Sequence, residues 1–282
     1  MNAPESTDNE GAESPAPRAR LPLSHALYWV LGGGLLAQLA GSLAAQLVRT
    51  LLAGAGARGA SLDGPAVVLP AMITSACALI GIAVLAPALA GVPLRSTLGL
   101  RHARPVTYAA AALGTVLLGP TADQAMSAMQ AHFPQLSLGV VPKLTELVAG
   151  MSVLLAWPVF ALLPGLSEEL LFRGLLQRAA PAGTRAILLS AFTFALFHID
   201  PHHAVGVLPL GLFLAWAASR CGTQVTIVAH VANNTAAIAA LHLPGFAVGY
   251  GTDEPLPWFY LPPTLAGVAL CALVIVKTSS GR

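Results

Sequence analysis

The chain is a succession of long apolar stretches separated by short polar ones. Ser24 to about Val48 and Gly64 to about Val92 are each long enough to cross a bilayer as a helix. Leu94 to Pro105 is a polar loop holding Arg95, Arg101, His102 and Arg104. A third span starts at Val106 and runs to about Gly119, where Pro120 interrupts it, and Ala122 to Ala131 reads as an amphipathic continuation. A fourth apolar stretch begins at Leu144, carries Pro158 and Pro164 as kink points, and runs on to Arg178. Ala186 to Ile199 is the fifth span, ended by Asp200-Pro201, followed by Ala204 to Ser219 and Val225 to Leu243. Trp258, Phe259 and Tyr260 form an aromatic belt at the start of an eighth span that ends near Val276. The expected fold is all-α: a polytopic membrane helix bundle with about eight transmembrane helices.

Composition agrees with this pattern. Of 282 residues, 56% are hydrophobic and 9% charged, with a mean hydropathy of +0.73. The net charge of +2 and the lack of a basic tract with interleaved aromatics exclude a nucleic-acid partner; the expected surroundings are the lipid bilayer. Cys77, Cys221 and Cys271 are isolated in apolar stretches, which predicts free thiols. Residues 1–20 are acidic, rich in Pro and Gly, and lack apolar periodicity, so a disordered cytoplasmic tail rather than a signal peptide is expected. With both termini in the cytoplasm, Arg18, Arg20, Arg95, Arg101, Arg104, Arg173, Arg178, Arg185, Arg220, Lys277 and Arg282 fall inside or near inner ends. Only Arg49, Arg58 and Lys143 fall outside. That bias places a multi-pass protein in the inner (plasma) membrane, with Asp123, Asp200, Asp253 and Glu254 in outer loops.

Against so apolar a background, Pro164 to Arg178 (PGLSEELLFRGLLQR) stands out. A charge at the bilayer centre costs about 2.5 to 3.5 kcal/mol, so adjacent glutamates there need a reason. Glu169 stands four residues before Arg173, the favourable order for an ion pair on a helix, whereas Glu168 has no basic residue at i+3 or i+4. Glu168 is therefore the acid left for chemistry. Two later spans add polar groups: Phe194 and His198 share one helix face, and His230 and Asn234 share another. By the same reasoning Asn233 faces away. His202 and His203, after a helix stop, are read as surface residues, and His242 has no partner four residues away. A carboxylate with an imidazole can activate water, and a second imidazole with a carboxamide can stabilise an oxyanion; taken singly, each of these groups could equally be an interhelical hydrogen bond.

The order EExxxR at Glu168–Arg173, FxxxH at Phe194–His198 and HxxxN at His230–Asn234, on late helices, resembles the CPBP (Abi) family of intramembrane proteases, whose eukaryotic relatives trim prenylated CAAX proteins. The similarity covers roughly Thr145 to Leu243, and Leu98-Gly-Leu-Arg101 before it fits the same family. The resemblance implies an intramembrane endopeptidase with Glu168, His198, His230 and Asn234 catalytic and Glu169, Arg173 and Phe194 supporting. His198 would bind water, and His230 with Asn234 would hold the oxyanion. With the apolar pattern, the chain is expected to divide into a disordered cytoplasmic tail at 1–20, N-terminal transmembrane helices at 21–143, and a catalytic core with the last helix at 144–282. The substrate would be a membrane protein or peptide. A glutamate-type mechanism needs no cofactor, although zinc on Glu168, His198 and His230 is chemically possible. The chain lacks HExxH, and Gly165-Leu-Ser167 is followed by Glu168 rather than the glycine of a rhomboid GxSG. Two further readings of the same cavity are a non-catalytic bacteriocin-immunity or binding protein and a small-solute transporter, the latter expected to show an inverted repeat that this chain lacks.

Overall fold

The computed structural model describes residues 20–55, 64–243 and 257–279. Every regular element among them is helical. Most of the expected tail, together with Asp253 and Glu254 of an expected outer loop, lies outside the described residues. In chain order the helices are α1 (Leu23–Gly54), α2 (Pro65–Leu89), α3 (Pro105–Val116), α4 (Gly119–His132), α5 (Val140–Ala149), α6 (Val153–Ala179), α7 (Thr184–Leu196), α8 (Pro201–Cys221), α9 (Thr223–His242) and α10 (Trp258–Ser279). A single turn, Leu94–Thr97, follows α2.

Among the described residues five helices, α1, α2, α6, α8 and α10, are long and apolar enough to cross a membrane. The other three expected spans fall short for separate reasons. α3 has only 12 residues, because Pro120 starts α4 almost at once. α7 has only 13 residues, about 20 Å at 1.5 Å per residue, against a hydrocarbon core of about 30 Å. α9 has 20 residues, but Gln224, His230, Asn233 and Asn234 dilute its hydropathy.

The fourth expected span breaks at Gly150 to Ser152, between α5 and α6, rather than at its prolines. Pro158 and Pro164 are absorbed inside α6. Pro158–Leu162 and Glu169–Leu176 are wider π-type turns, a form that accommodates irregularity and gathers at functional sites.

α1 packs against α2, where the Ser75 hydroxyl donates to the Ala37 carbonyl at 3.1 Å. Its other face exposes Leu35, Leu36, Leu39, Leu43, Leu47 and Leu51 and suits lipid. α9 is the central helix, packed on α3, α5, α6 and α8. The apolar core follows this division. One cluster joins α1, α2 and α6 around Leu171, Phe172 and Leu175, and another joins α3, α8, α9 and α10 around Leu214, Val225 and Ile275.

Two expectations about polar residues are corrected here. Asp123 lies within α4 rather than in a loop. His202 is 5% exposed, in the first turn of α8, and its Nε2 donates to the Phe133 carbonyl at 3.0 Å. Asp200 caps α8, accepting from the His202 N–H at 3.0 Å. Its other oxygen accepts from the backbone N–H groups of Leu138 at 3.2 Å and Val140 at 3.3 Å. Asp200 thereby fastens the α4–α5 connection to the α7–α8 turn. Burial works against its charge, but the backbone N–H groups of Val140, His202, His203 and Leu138 outweigh it and hold the carboxyl below the usual carboxylate range.

A folded-state acidity below the unfolded value means that Asp200 stabilises the fold above about pH 3.9, and that this contribution fades as pH falls through its native titration. Asp200→Ala should cost about 0.5 to 2 kcal/mol near neutral pH, as lost caps do. The gap in thermal unfolding between wild type and variant should close toward strong acid. A gap independent of pH would assign the loss to packing rather than charge.

Candidate active site

The site is built outward from α6. Glu169 and Arg173 are fully buried, and Arg173 Nη1 donates to Glu169 Oε1 at 2.7 Å, as their spacing predicts. Arg173 Nη2 donates to the Gly211 carbonyl of α8 at 3.1 Å, and the guanidinium lies over the Phe194 ring of α7 at 4.3 Å. Glu169 Oε1 also accepts from Nδ1–H of His230 on α9 at 3.0 Å. One carboxylate–guanidinium pair therefore binds α6, α7, α8 and α9 together. Phe194 serves as a partition: its ring contacts His198 at 4.8 Å and His230 at 5.8 Å between centroids, both edge-on.

Glu168 behaves differently. Its side chain is 23% exposed and faces a cavity of about 340 Å³. His230 Nε2 lies 3.9 Å from Glu168 Oε2, too far for a direct hydrogen bond. His198 sits just past the end of α7 and donates Nδ1–H to the Phe194 carbonyl at 2.9 Å. That bond sets the tautomer, so the neutral ring offers Nε2 as an acceptor. Both imidazoles line the cavity with Glu168, and so does Asn234, whose Oδ1 accepts from Asn233 Nδ2 at 3.3 Å. Asn234 thus keeps its own N–H groups for another partner.

The cavity also holds residues that pattern reasoning missed. His203 is not a surface residue: it lines the cavity and meets His198 edge-on at 4.5 Å. Asp-Pro was read as a stop, but the pair also starts a helix, with Asp as the cap and Pro in the first turn. Asn233 lines the cavity beside Asn234, and Asp123 reaches it from α4. The remaining wall is apolar, from Met72, Leu118, Met126, Val148, Leu210 and Leu241 among others. Among the described residues, no group of three or more His, Cys, Asp or Glu side chains converges to hold a metal ion.

Residues 150–236 match the family model described as Rce1-like, type II CAAX prenyl endopeptidase. That segment thus resembles an Rce1-like core. Comparisons with curated proteins and with solved structures return no match. The Rce1-like core begins just before α6 and ends within α9, so it contains Glu168, Glu169, Arg173, Phe194, His198, His230 and Asn234. The matched segment is that of a protease family, set among helices suited to a membrane. The cavity wall supplied by α4 and α5 lies outside the Rce1-like core.

Glu169→Gln should leave Arg173 buried without a counter-charge, a loss of about 3 to 5 kcal/mol for a broken buried pair. Glu168→Gln, at a cavity wall, should unfold near the wild-type temperature. Thermal unfolding of both variants in one detergent checks this, and equal losses would contradict the division between the two acids.

Proposed function

We propose that the protein is a glutamate-type intramembrane endopeptidase, hydrolysing a peptide bond near the membrane-embedded or C-terminal part of a protein or peptide substrate. The observation that carries this reading is the separation of the two acids. Glu169 is consumed by Arg173 and His230, while Glu168 alone of the pair opens into a cavity lined by His198, His230 and Asn234. The protease family matched by the Rce1-like core supports the same class.

In this mechanism Glu168 takes a proton from a water that also donates to Nε2 of His198. The oxygen attacks the substrate carbonyl carbon, and Glu168 returns the proton to the leaving amine. The amide N–H of Asn234 donates to the oxyanion. His230 keeps Nδ1–H on Glu169, so its Nε2 donates to the oxyanion only when both ring nitrogens carry a proton. Glu169, Arg173 and Phe194 hold these groups in place. Zinc would use Nε2 of His198 and of His230 with Glu168, but among the described residues those donors do not gather into a metal-holding set. The positive-inside bias supports an inner-membrane location with both termini in the cytoplasm.

With a cleavable membrane-peptide substrate, Glu168→Gln should lower the rate by at least about 10²-fold with the fold intact. Asn234→Ala should lower it by about 10² to 10³, as expected for an oxyanion donor. Full proteolysis by Glu168→Gln would move the base elsewhere and favour an immunity or binding role for the cavity. Activity should also survive dialysis against a strong chelator. Loss on stripping and recovery with one zinc per chain would reject the glutamate-type reading.

A further inference from the structure

A second pocket, also of about 340 Å³, lies away from the acids and is lined by Pro93, Arg95, Ser96, Gly99, Leu100, Arg101 and Arg178. Three of these lining residues are arginines. Arg20 and Arg101 stand close enough to Arg178 for their charges to act on it. The carboxylates among the described residues are Asp123, Glu146, Glu168, Glu169 and Asp200, and none lines this pocket. Like charges drawn together without a counter-charge repel, and long arginine side chains would ordinarily spread into solvent.

Here the backbone holds two of them, Arg95 and Arg178, in place. Arg178 Nε donates to the Ser96 carbonyl at 3.2 Å, and Arg95 Nε donates to the Leu100 carbonyl at 3.3 Å. Those bonds use one N–H of each fork and leave the terminal nitrogens for a ligand. The backbone is shaped to allow this approach. Gly99 has φ +63°, and a Cβ there would come within 2.6 Å of Arg178 Cδ. Gly222 has φ +90°, and a Cβ there would come within 2.7 Å of the Gly99 carbonyl oxygen. That carbonyl accepts from the Thr223 N–H at 3.0 Å, stitching the polar loop to the α8–α9 turn. A general bias of basic residues toward one membrane face requires neither the shared pocket nor the anchoring carbonyls.

We infer that Arg95, Arg101 and Arg178 form a binding site for a phosphate group. Arginine forks match phosphate oxygens bidentately. The pocket sits where α2, α6 and α8 end, the level at which phospholipid headgroups meet a bundle, so the headgroup of an anionic phospholipid is the favoured source. The inference is independent of the proteolytic reading.

The test uses the purified full chain in nanodiscs of phosphatidylcholine, with phosphatidylglycerol titrated in or inorganic phosphate added, and reads the unfolding temperature. Wild type should gain stability with a saturating midpoint. In Arg95→Gln/Arg101→Gln, both at exposed positions, the midpoint should rise by about fivefold per arginine removed, the equivalent of about 1 kcal/mol each. Arg104→Gln, a basic neighbour outside the pocket, should keep the wild-type midpoint. Stabilisation by the lipid alone assigns the site to a headgroup, and stabilisation by inorganic phosphate as well assigns it to phosphate in general. No stabilisation by either, a wild-type midpoint in the double variant, or an equal loss in Arg104→Gln would overturn the proposal.

Discussion

The bundle depends on one buried charge pair. Glu169 and Arg173 lie wholly out of solvent, where either charge without the other would be costly. Each also reaches other helices: Glu169 bonds His230 of α9, and Arg173 meets the Gly211 carbonyl of α8 and the Phe194 face of α7. Because the pair must be satisfied as a unit, the four helices have little freedom to slide past one another. Apolar contacts alone would not fix that register, since side chains packed in lipid can exchange neighbours at small cost.

The same pair sets the chemistry of its surroundings. By binding Nδ1–H of His230 it turns Nε2 toward Glu168, and by drawing Phe194 under Arg173 it places the carbonyl that orients His198. Paired and cavity-facing polar groups are thus stacked in depth. The neutralised pair lies behind, and the cavity-facing glutamate, imidazoles and carboxamide lie in front. A carboxamide doublet repeats this arrangement on α9, where Asn233 occupies the oxygen of Asn234 and leaves its N–H groups outward.

Much of this was legible from spacing. The Glu169–Arg173 pair follows from an i,i+4 interval, and the Phe194–His198 contact from another. Helix positions follow from the apolar runs, though not their number as full crossings. The end of α7 was hidden because Phe197 and Ile199 continue the apolar run beyond Leu196. What stops the helix is tertiary: Ile199 adopts φ 60° and Asp200 turns to cap α8 while holding Leu138 and Val140. His203 was lost for the same reason. The bond between His230 and Glu169 joins residues 61 apart, and no local period reports such a contact.

The short α7 has a consequence for the surrounding lipid. It exposes Leu188, Phe192 and Leu196, so in a bilayer acyl chains would meet a helix only about two-thirds as tall as the hydrocarbon layer. Bilayers meet a short hydrophobic wall by thinning beside it, at a cost of fractions of a kcal/mol per Å. The membrane would then be thinnest along the flank where His198 ends α7, and local bilayer thickness becomes part of the environment of that histidine.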